Sequence, residues 1–127
     1  MNTFNKSVEA GLKALLILKV VKSQKISLER IVFYDNFINE KEGHRGKQFN
    51  RYLRRVSFEE GIGLMLIRGL LDVTYTEKGI FYQANPQTLM FIELLESNYA
   101  HKYQKGIKQI ILKYAEYTEE KIQQIRE

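Results

Sequence analysis

Cysteine is absent from this 127-residue chain. That removes disulfides, thiolate chemistry and any sulfur-based metal site, and it suits a reducing compartment. Histidine is scarce: His44 and His101 are the only two, too few to make a zinc site without thiolates. Long apolar runs are missing as well. The best stretch, LKALLILKVV from Leu12 to Val21, is interrupted by Lys13 and Lys19, preceded by Glu9 and followed by no small-residue cleavage site. A signal peptide or a membrane span needs an uninterrupted apolar core, so the expectation is a cytoplasmic protein with no membrane partner. Proline occurs once, and no segment reads as a free linker.

Catalytic and cofactor motifs are also lacking. In GHRGKQ, two residues separate Gly43 from Gly46 and Gln48 follows Lys47. A phosphate-binding loop needs four residues between its glycines and a Ser or Thr after the lysine. Gly61 and Gly63 fall inside a predicted helix, where close helix packing explains them better than a dinucleotide site. Glu59 and Glu60 are adjacent and point in different directions on a helix. Neither histidine has a Ser or carboxylate arranged as a catalytic partner. No enzyme, cofactor or metal is expected.

What is present is a globular composition, 44% hydrophobic and 28% charged, in a chain long enough to bury about two-thirds of its unfolded surface. One domain over residues 1–127 is expected, with a core over about 5–84 and C-terminal helices over about 86–126. A first helix starts near Asn5 or Ser7 and reaches Lys22, burying Val8, Leu12, Leu15 and Leu16 at helical spacing. Ser27 caps a second helix to Asn39, with Ile26 as its hydrophobic staple. Residues 40–49 read as a loop, and NRYLRRV is open between helix and strand. Ser57 and Glu60 form a capping box that starts a third helix over Phe58 to Arg68. Gly69 ends it. Period-two alternation then predicts a β-hairpin, LLDVTYTEKGIFYQA, with Gly79 at the position requiring positive φ. Pro86 opens a helix to Ser97 that turns Leu89, Ile92 and Leu94 or Leu95 inward; a longer helix carries Tyr99, Tyr103, Ile107, Ile110, Ile111 and Tyr114, and a short charged one follows Thr118. The fold class is mainly α with a small β-hairpin: a winged helix-turn-helix domain with a C-terminal helical extension.

The formal charge is +5 and the pI about 9.4, which draws an acidic partner at range. Lys41, Arg45, Lys47, Arg51, Arg54 and Arg55 stand against the single acid Glu42 just before the third helix. Arginine forks onto phosphate oxygens, so Arg45, Lys47, Arg51, Arg54, Arg55, Arg68 and Lys78 at the hairpin tip are candidate DNA or partner contacts. The plainer alternative is a solvated face with internal ion pairs. Residues 58–68 carry almost none of the side chains that read base edges, which argues against a stand-alone winged-helix transcription regulator. Tyr34, Tyr52, Tyr75, Tyr82, Tyr99 and Tyr103 are candidate interface anchors or core.

FNKSVEAGLKAL, ISLERIVFYD, EGIGLMLIRGLL, TEKGIFYQA and FIELLESNYA, in that order, resemble the middle component of ABC-three-component systems, the group that includes the Lamassu anti-phage systems. The resemblance runs to about Tyr117. The chain departs from the family in having Lys6-Ser7 where Ser-Pro is frequent, and in a shortened loop between the second and third helices. What the resemblance implies is a non-enzymatic subunit joining an SMC- or Rad50-like ABC ATPase to an effector, often a nuclease. It also implies that Arg54, Arg55 and Arg68 face the ATPase or bound DNA, so that charge reversal at Arg54 and Arg55 weakens assembly or DNA binding without lowering thermal stability.

Overall fold

A computed structural model describes residues 3–22, 24–41, 48–95 and 97–126. The elements in chain order are α1 (Thr3–Val21), β1 (Ile26–Ser27), α2 (Leu28–Lys41), α3 (Gln48–Ile67), β2 (Asp72–Thr76), β3 (Gly79–Gln83), α4 (Pro86–Leu94), α5 (Asn98–Tyr114) and α6 (Glu119–Arg126). The structure is mainly helical with one small antiparallel sheet, in the strand order β1-β3-β2.

Helix α1 is the central element. It packs most extensively on α3 and also touches α2, α4 and α5. Being covered on several sides, it buries five consecutive residues, Ala14 to Leu18, rather than a single stripe. Leu15 and Leu16 are buried as their spacing predicts, whereas Val8 and Leu12 are only half-buried. The crossing with α3 is held close by two glycines. A Cβ on Gly61 would stand 2.3 Å from the Ser7 carbonyl oxygen and 2.5 Å from the Gly11 nitrogen. Gly63, expected to serve the same packing, faces open space within 4 Å.

Helix α2 starts as its sequence predicts, with the Ser27 hydroxyl accepting the Arg30 amide at 3.1 Å. Ile26 is more than a staple. It pairs with Tyr82, and Ser27 with Phe81, so the expected hairpin becomes a three-stranded sheet. A two-residue strand is too short to show periodicity in a sequence. The third helix corrects the expected boundary by ten residues: it begins at Gln48, and NRYLRRV lies within it. Ser57 is an interior helical residue, and the Glu60 carboxylate accepts a hydrogen bond from the Ser7 hydroxyl at 2.9 Å on the neighbouring helix. The spacing of a capping box here serves a tertiary contact.

After α3 the local chemistry is as the sequence predicts. Gly69 takes φ +71. Its amide donates to the Leu66 carbonyl at 3.0 Å and the Leu70 amide to the Met65 carbonyl at 2.9 Å, the paired bonds of a Schellman ending. In the hairpin, Gly79 takes the expected positive φ, +132, but it pairs with Thr76 across the two-residue tip Glu77-Lys78, where EKG suits a three-residue turn. Asn85 caps α4 in a reciprocal box with Thr88. The Asn85 side-chain amide also donates to the Gly69 carbonyl at 3.2 Å and to Asp72 at 2.9 Å, which ties α4 to the turn after α3. Helix α4 ends at Leu94, not Ser97, and of its expected inward residues only Ile92 is buried among Leu89, Ile92 and Leu94.

Gly61→Ala is expected to lower the unfolding free energy by about 2 kcal/mol or more, because the new methyl meets backbone that can yield only if the helices part. Gly63→Ala, in open space in a helix interior, is expected to raise it by about 0.5–1 kcal/mol. Urea denaturation of the two variants checks the crossing, and equal midpoints would refute it.

Candidate partner-binding surface

The basic residues singled out in the sequence do not share one environment. Arg45 and Lys47 lie outside the described residues, and Arg51 sits on α3 with its side chain outside them as well. Arg54 is turned inward: its Nε is 3.6 Å from Asp35 Oδ2, and its Nη1 donates to Asn36 Oδ1. Arg55 bridges Glu29 at 2.6 Å and Glu59 at 3.2 Å. These two arginines therefore neutralise carboxylates of the same chain. Arg68, in the turn after α3, and Lys78, at the hairpin tip, are exposed.

Asp35 is the centre of the arrangement. It is 1% exposed and receives the Tyr103 hydroxyl of α5 at 2.7 Å. Lys13 of α1 stands 4.0 Å from the same oxygen, and Arg54 of α3 approaches the other. Burial, then the Asp35 charge, push the Tyr103 hydroxyl well above its ordinary pKa, so it stays a neutral donor. Burial pulls Lys13 down, but Asp35, Tyr99 and Glu9 more than offset this and its pKa is raised. Two cations and a phenol from three helices thus satisfy one carboxylate from a fourth.

A second polar node fastens α6. Arg30 Nε donates to Glu119 Oε1 at 2.8 Å and Nη1 to the Tyr34 hydroxyl at 3.0 Å. Its Nη2 donates to the Tyr117 carbonyl, and the Ser27 hydroxyl donates to the other Glu119 oxygen. Beside it, Phe37 stacks on Tyr114 at 4.6 Å between ring centres, and Phe33 meets Tyr114 edge-on at 5.3 Å. Tyr34 and Tyr103 are core; Tyr52, Tyr75 and Tyr99 are exposed.

The surface that sequence reasoning missed is on α4. Leu89, Met90 and Leu94 are 44%, 61% and 85% exposed. The signal is legible: PQTLMFIEL is apolar around most of its circumference, and such a helix is normally covered on all sides. Nearby, an open groove of about 680 Å³ runs between α1 and the start of α5, lined by Val8, Leu12, Leu16, Leu95 and Tyr99 with Glu9 and Lys13. Among the described residues no cluster of His, Asp and Glu is placed to hold a metal, and no helix is long and apolar enough to cross a membrane.

Residues 3–127 match the family described as ABC-three component (ABC-3C) system Middle Component 2. The chain belongs to this family. The match reaches the end of the chain, beyond the Tyr117 limit of the resemblance read from sequence blocks. No curated protein and no solved structure matches it. An ABC-3C middle component works with the other components of its system, so the surfaces of interest are those its own core leaves uncovered, the α4 face foremost.

The Asp35 node fixes what substitution and pH should do. Asp35→Asn takes the counter-charge from the partly buried Arg54 and leaves Lys13 with Glu9 alone, and is expected to cost about 3 kcal/mol; Arg54→Glu, which sets a carboxylate against Asp35, is expected to destabilise as well, contrary to the stability-neutral outcome that the resemblance implied. Arg68→Glu and Lys78→Glu, both exposed, should change stability by less than about 0.5 kcal/mol. Tyr103 and Lys13 both have folded pKa values raised above their unfolded ones, so their contributions are complete below about pH 10 and are lost as pH rises beyond it. The unfolding free energy should therefore fall between about pH 9.5 and 11, and less steeply in Tyr103→Phe. Denaturation across that range decides it; identical slopes for the two proteins would remove Tyr103 from the account.

Proposed function

We propose that this middle component is a non-enzymatic adaptor joining an SMC- or Rad50-like ABC ATPase to an effector, such as a nuclease, in a cytoplasmic Lamassu-type anti-phage complex. The observation that carries this reading is the uncovered apolar face of α4. Leu89, Met90 and Leu94 in water, with Met90 and Leu94 one turn apart on the helix, are costly at about 25 cal/mol per Å² of apolar surface, and covering them by a partner recovers that energy. The exposed cations Arg68 and Lys78 are the described members of the basic set free to add polar contacts at a rim; Arg45, Lys47 and Arg51 are assigned to the same role on charge alone. A single domain is supported by one buried cluster that takes residues from α1 through α6.

The order α1-β1-α2-α3-β2-β3 with the sheet order β1-β3-β2 supports the winged-helix reading of the first part of the chain. It also keeps a second function in view, a stand-alone winged-helix DNA-binding regulator. A third helix that begins at Phe58 is nearly empty of base-reading side chains. Starting at Gln48, it contains Gln48, Asn50 and Arg51 in its first turns, where a recognition helix makes base contacts. Against this stand Arg54 and Arg55, which spend their charge on internal carboxylates.

The test is co-expression with the ATPase and effector of the same system, followed by affinity purification of the tagged middle component at moderate salt. The wild type should retain the ATPase. Met90→Asp/Leu94→Asp should reduce its recovery at least tenfold with the melting temperature of the free chain unchanged. A wild-type chain that elutes alone and binds a defined palindromic duplex as a dimer would replace the adaptor by the regulator.

A further inference from the structure

The charge excess of the chain is not where the arginine cluster put it. Arg30, Arg54, Arg55 and Lys13 all face carboxylates of their own fold. Helix α5, by contrast, holds four lysines and no Asp or Glu in NYAHKYQKGIKQIILKY. Its apolar side is committed to the core through Ala100, Tyr103, Ile107 and Ile110. Lys102, Lys105, Lys108 and Lys113 are exposed on the other side. Among the described residues none of the four is ion-paired; Lys113 lies over the Tyr114 ring at 5.5 Å.

We propose that this lysine face of α5 is a sequence-independent docking stripe for the phosphate backbone of duplex DNA. At 1.5 Å of rise per residue, Lys102 to Lys113 span about 16 Å, and a duplex carries one phosphate charge per about 1.7 Å of its axis. The stripe therefore meets several phosphates at once. Lysine offers compact charges on long flexible stems rather than the planar fork that fixes a bidentate pair, which suits a backbone and not a base sequence. Three alternatives fit less well. A membrane-surface helix needs an apolar face to insert, and here that face is inside the protein, with only Tyr99 and Leu112 as large apolar residues exposed on α5 among the described residues. Protein interfaces are depleted in lysine and anchored by aromatic or arginine side chains, which the stripe lacks. Single-stranded nucleic acid is held by stacking on a row of exposed rings; α5 exposes one tyrosine, Tyr99, a turn before the first lysine, while Tyr103, the one aromatic between Lys102 and Lys113, is buried. The stripe is independent of the adaptor reading: α4 and its apolar residues play no part in it.

The full chain is titrated into a fluorescein-labelled 24-base-pair duplex of arbitrary sequence and read by anisotropy from 50 to 200 mM salt. The wild type should bind at 50 mM, with little change when the sequence is scrambled. Lys102→Gln/Lys105→Gln/Lys108→Gln/Lys113→Gln should bind at least tenfold more weakly and flatten the log-log salt slope by about 3.6, from about 0.9 for each of the four phosphates no longer neutralised. Lys6→Gln/Lys22→Gln/Lys25→Gln/Lys121→Gln, with the same reduction of net charge elsewhere, should stay within threefold of wild type. Melting curves by circular dichroism confirm folding, and the pairs Lys102→Gln/Lys105→Gln and Lys108→Gln/Lys113→Gln replace the quadruple variant if it does not fold. Absence of binding at 50 mM, or equal weakening by the two quadruple variants, would overturn the proposal. So would displacement of the duplex by polyglutamate at equal charge, or tighter binding to vesicles of anionic lipid, which point to an acidic protein or a membrane instead.

Discussion

The rest of the structure depends on one buried carboxylate. An ion taken out of water loses solvation worth several kcal/mol even after the protein relaxes, so Asp35 is tolerable inside only if the groups around it are present together. Those groups come from different helices: Lys13 from α1, Arg54 from α3 and Tyr103 from α5. Apolar packing among these helices sets how much surface is buried but does little to fix rotation or register. A charge that must find three particular partners does both, because sliding or turning any one helix takes a partner away from Asp35. The node also gives Arg54 of the basic cluster an internal task, as Glu29 and Glu59 do for Arg55.

Two further constraints complete the frame. The Gly11–Gly61 crossing brings α1 and α3 to backbone contact, closer than any side-chain-mediated packing allows. Arg30 then links α2 to the chain after α5 through Glu119 and the Tyr117 carbonyl. Its hydrogen bonds use donors that a buried guanidinium cannot leave idle. Between them, these contacts fasten α1, α2, α3, α5 and α6. Helix α4 is held differently, by its Asn85–Thr88 cap against the turn after α3 and by Ile92 below it. Of its large apolar residues only Ile92 is fully buried, and Leu89, Met90 and Leu94 are left exposed.

How much of this is legible in the sequence follows from the range of each interaction. The Ser27 cap, the Gly69 ending, the Gly79 turn and Pro86 at the head of α4 can be read from the chain because each is a bond between residues a few positions apart. The start of α3 cannot, because Ser57 and Glu60 have the spacing of a local box while Glu60 binds Ser7, 53 residues away. Strand β1 has two residues and no period to detect; its existence depends on the free edge of β3. Asp35 looks like one more residue of a helical pattern, since nothing in the chain marks which carboxylate will meet a lysine, an arginine and a tyrosine from distant segments. For the candidate surfaces, composition puts the positive charge in the wrong place: runs of arginine are visible in a sequence, but which of them are already neutralised is not.

That last point bears on how a middle component divides its surface. Sequence charge is a sum, whereas a partner meets only what folding leaves unpaired. Subtracting the internal pairs removes Arg30, Arg54, Arg55 and Lys13 and leaves, among the described residues, the four exposed lysines of α5, a helix with no Asp or Glu. The same subtraction applied to apolar residues removes most of α1 and α2 and leaves Leu89, Met90 and Leu94 of α4, with Tyr52, Leu53 and Ile67 of α3. The α5 lysines and the α4 residues lie on consecutive helices, both backed by α1, and they differ in the physics of what each can hold. An apolar row is indifferent to salt and gains from close shape matching, while a lysine row weakens steeply with salt and tolerates many geometries. The two surfaces therefore respond differently to ionic strength, whatever each one holds.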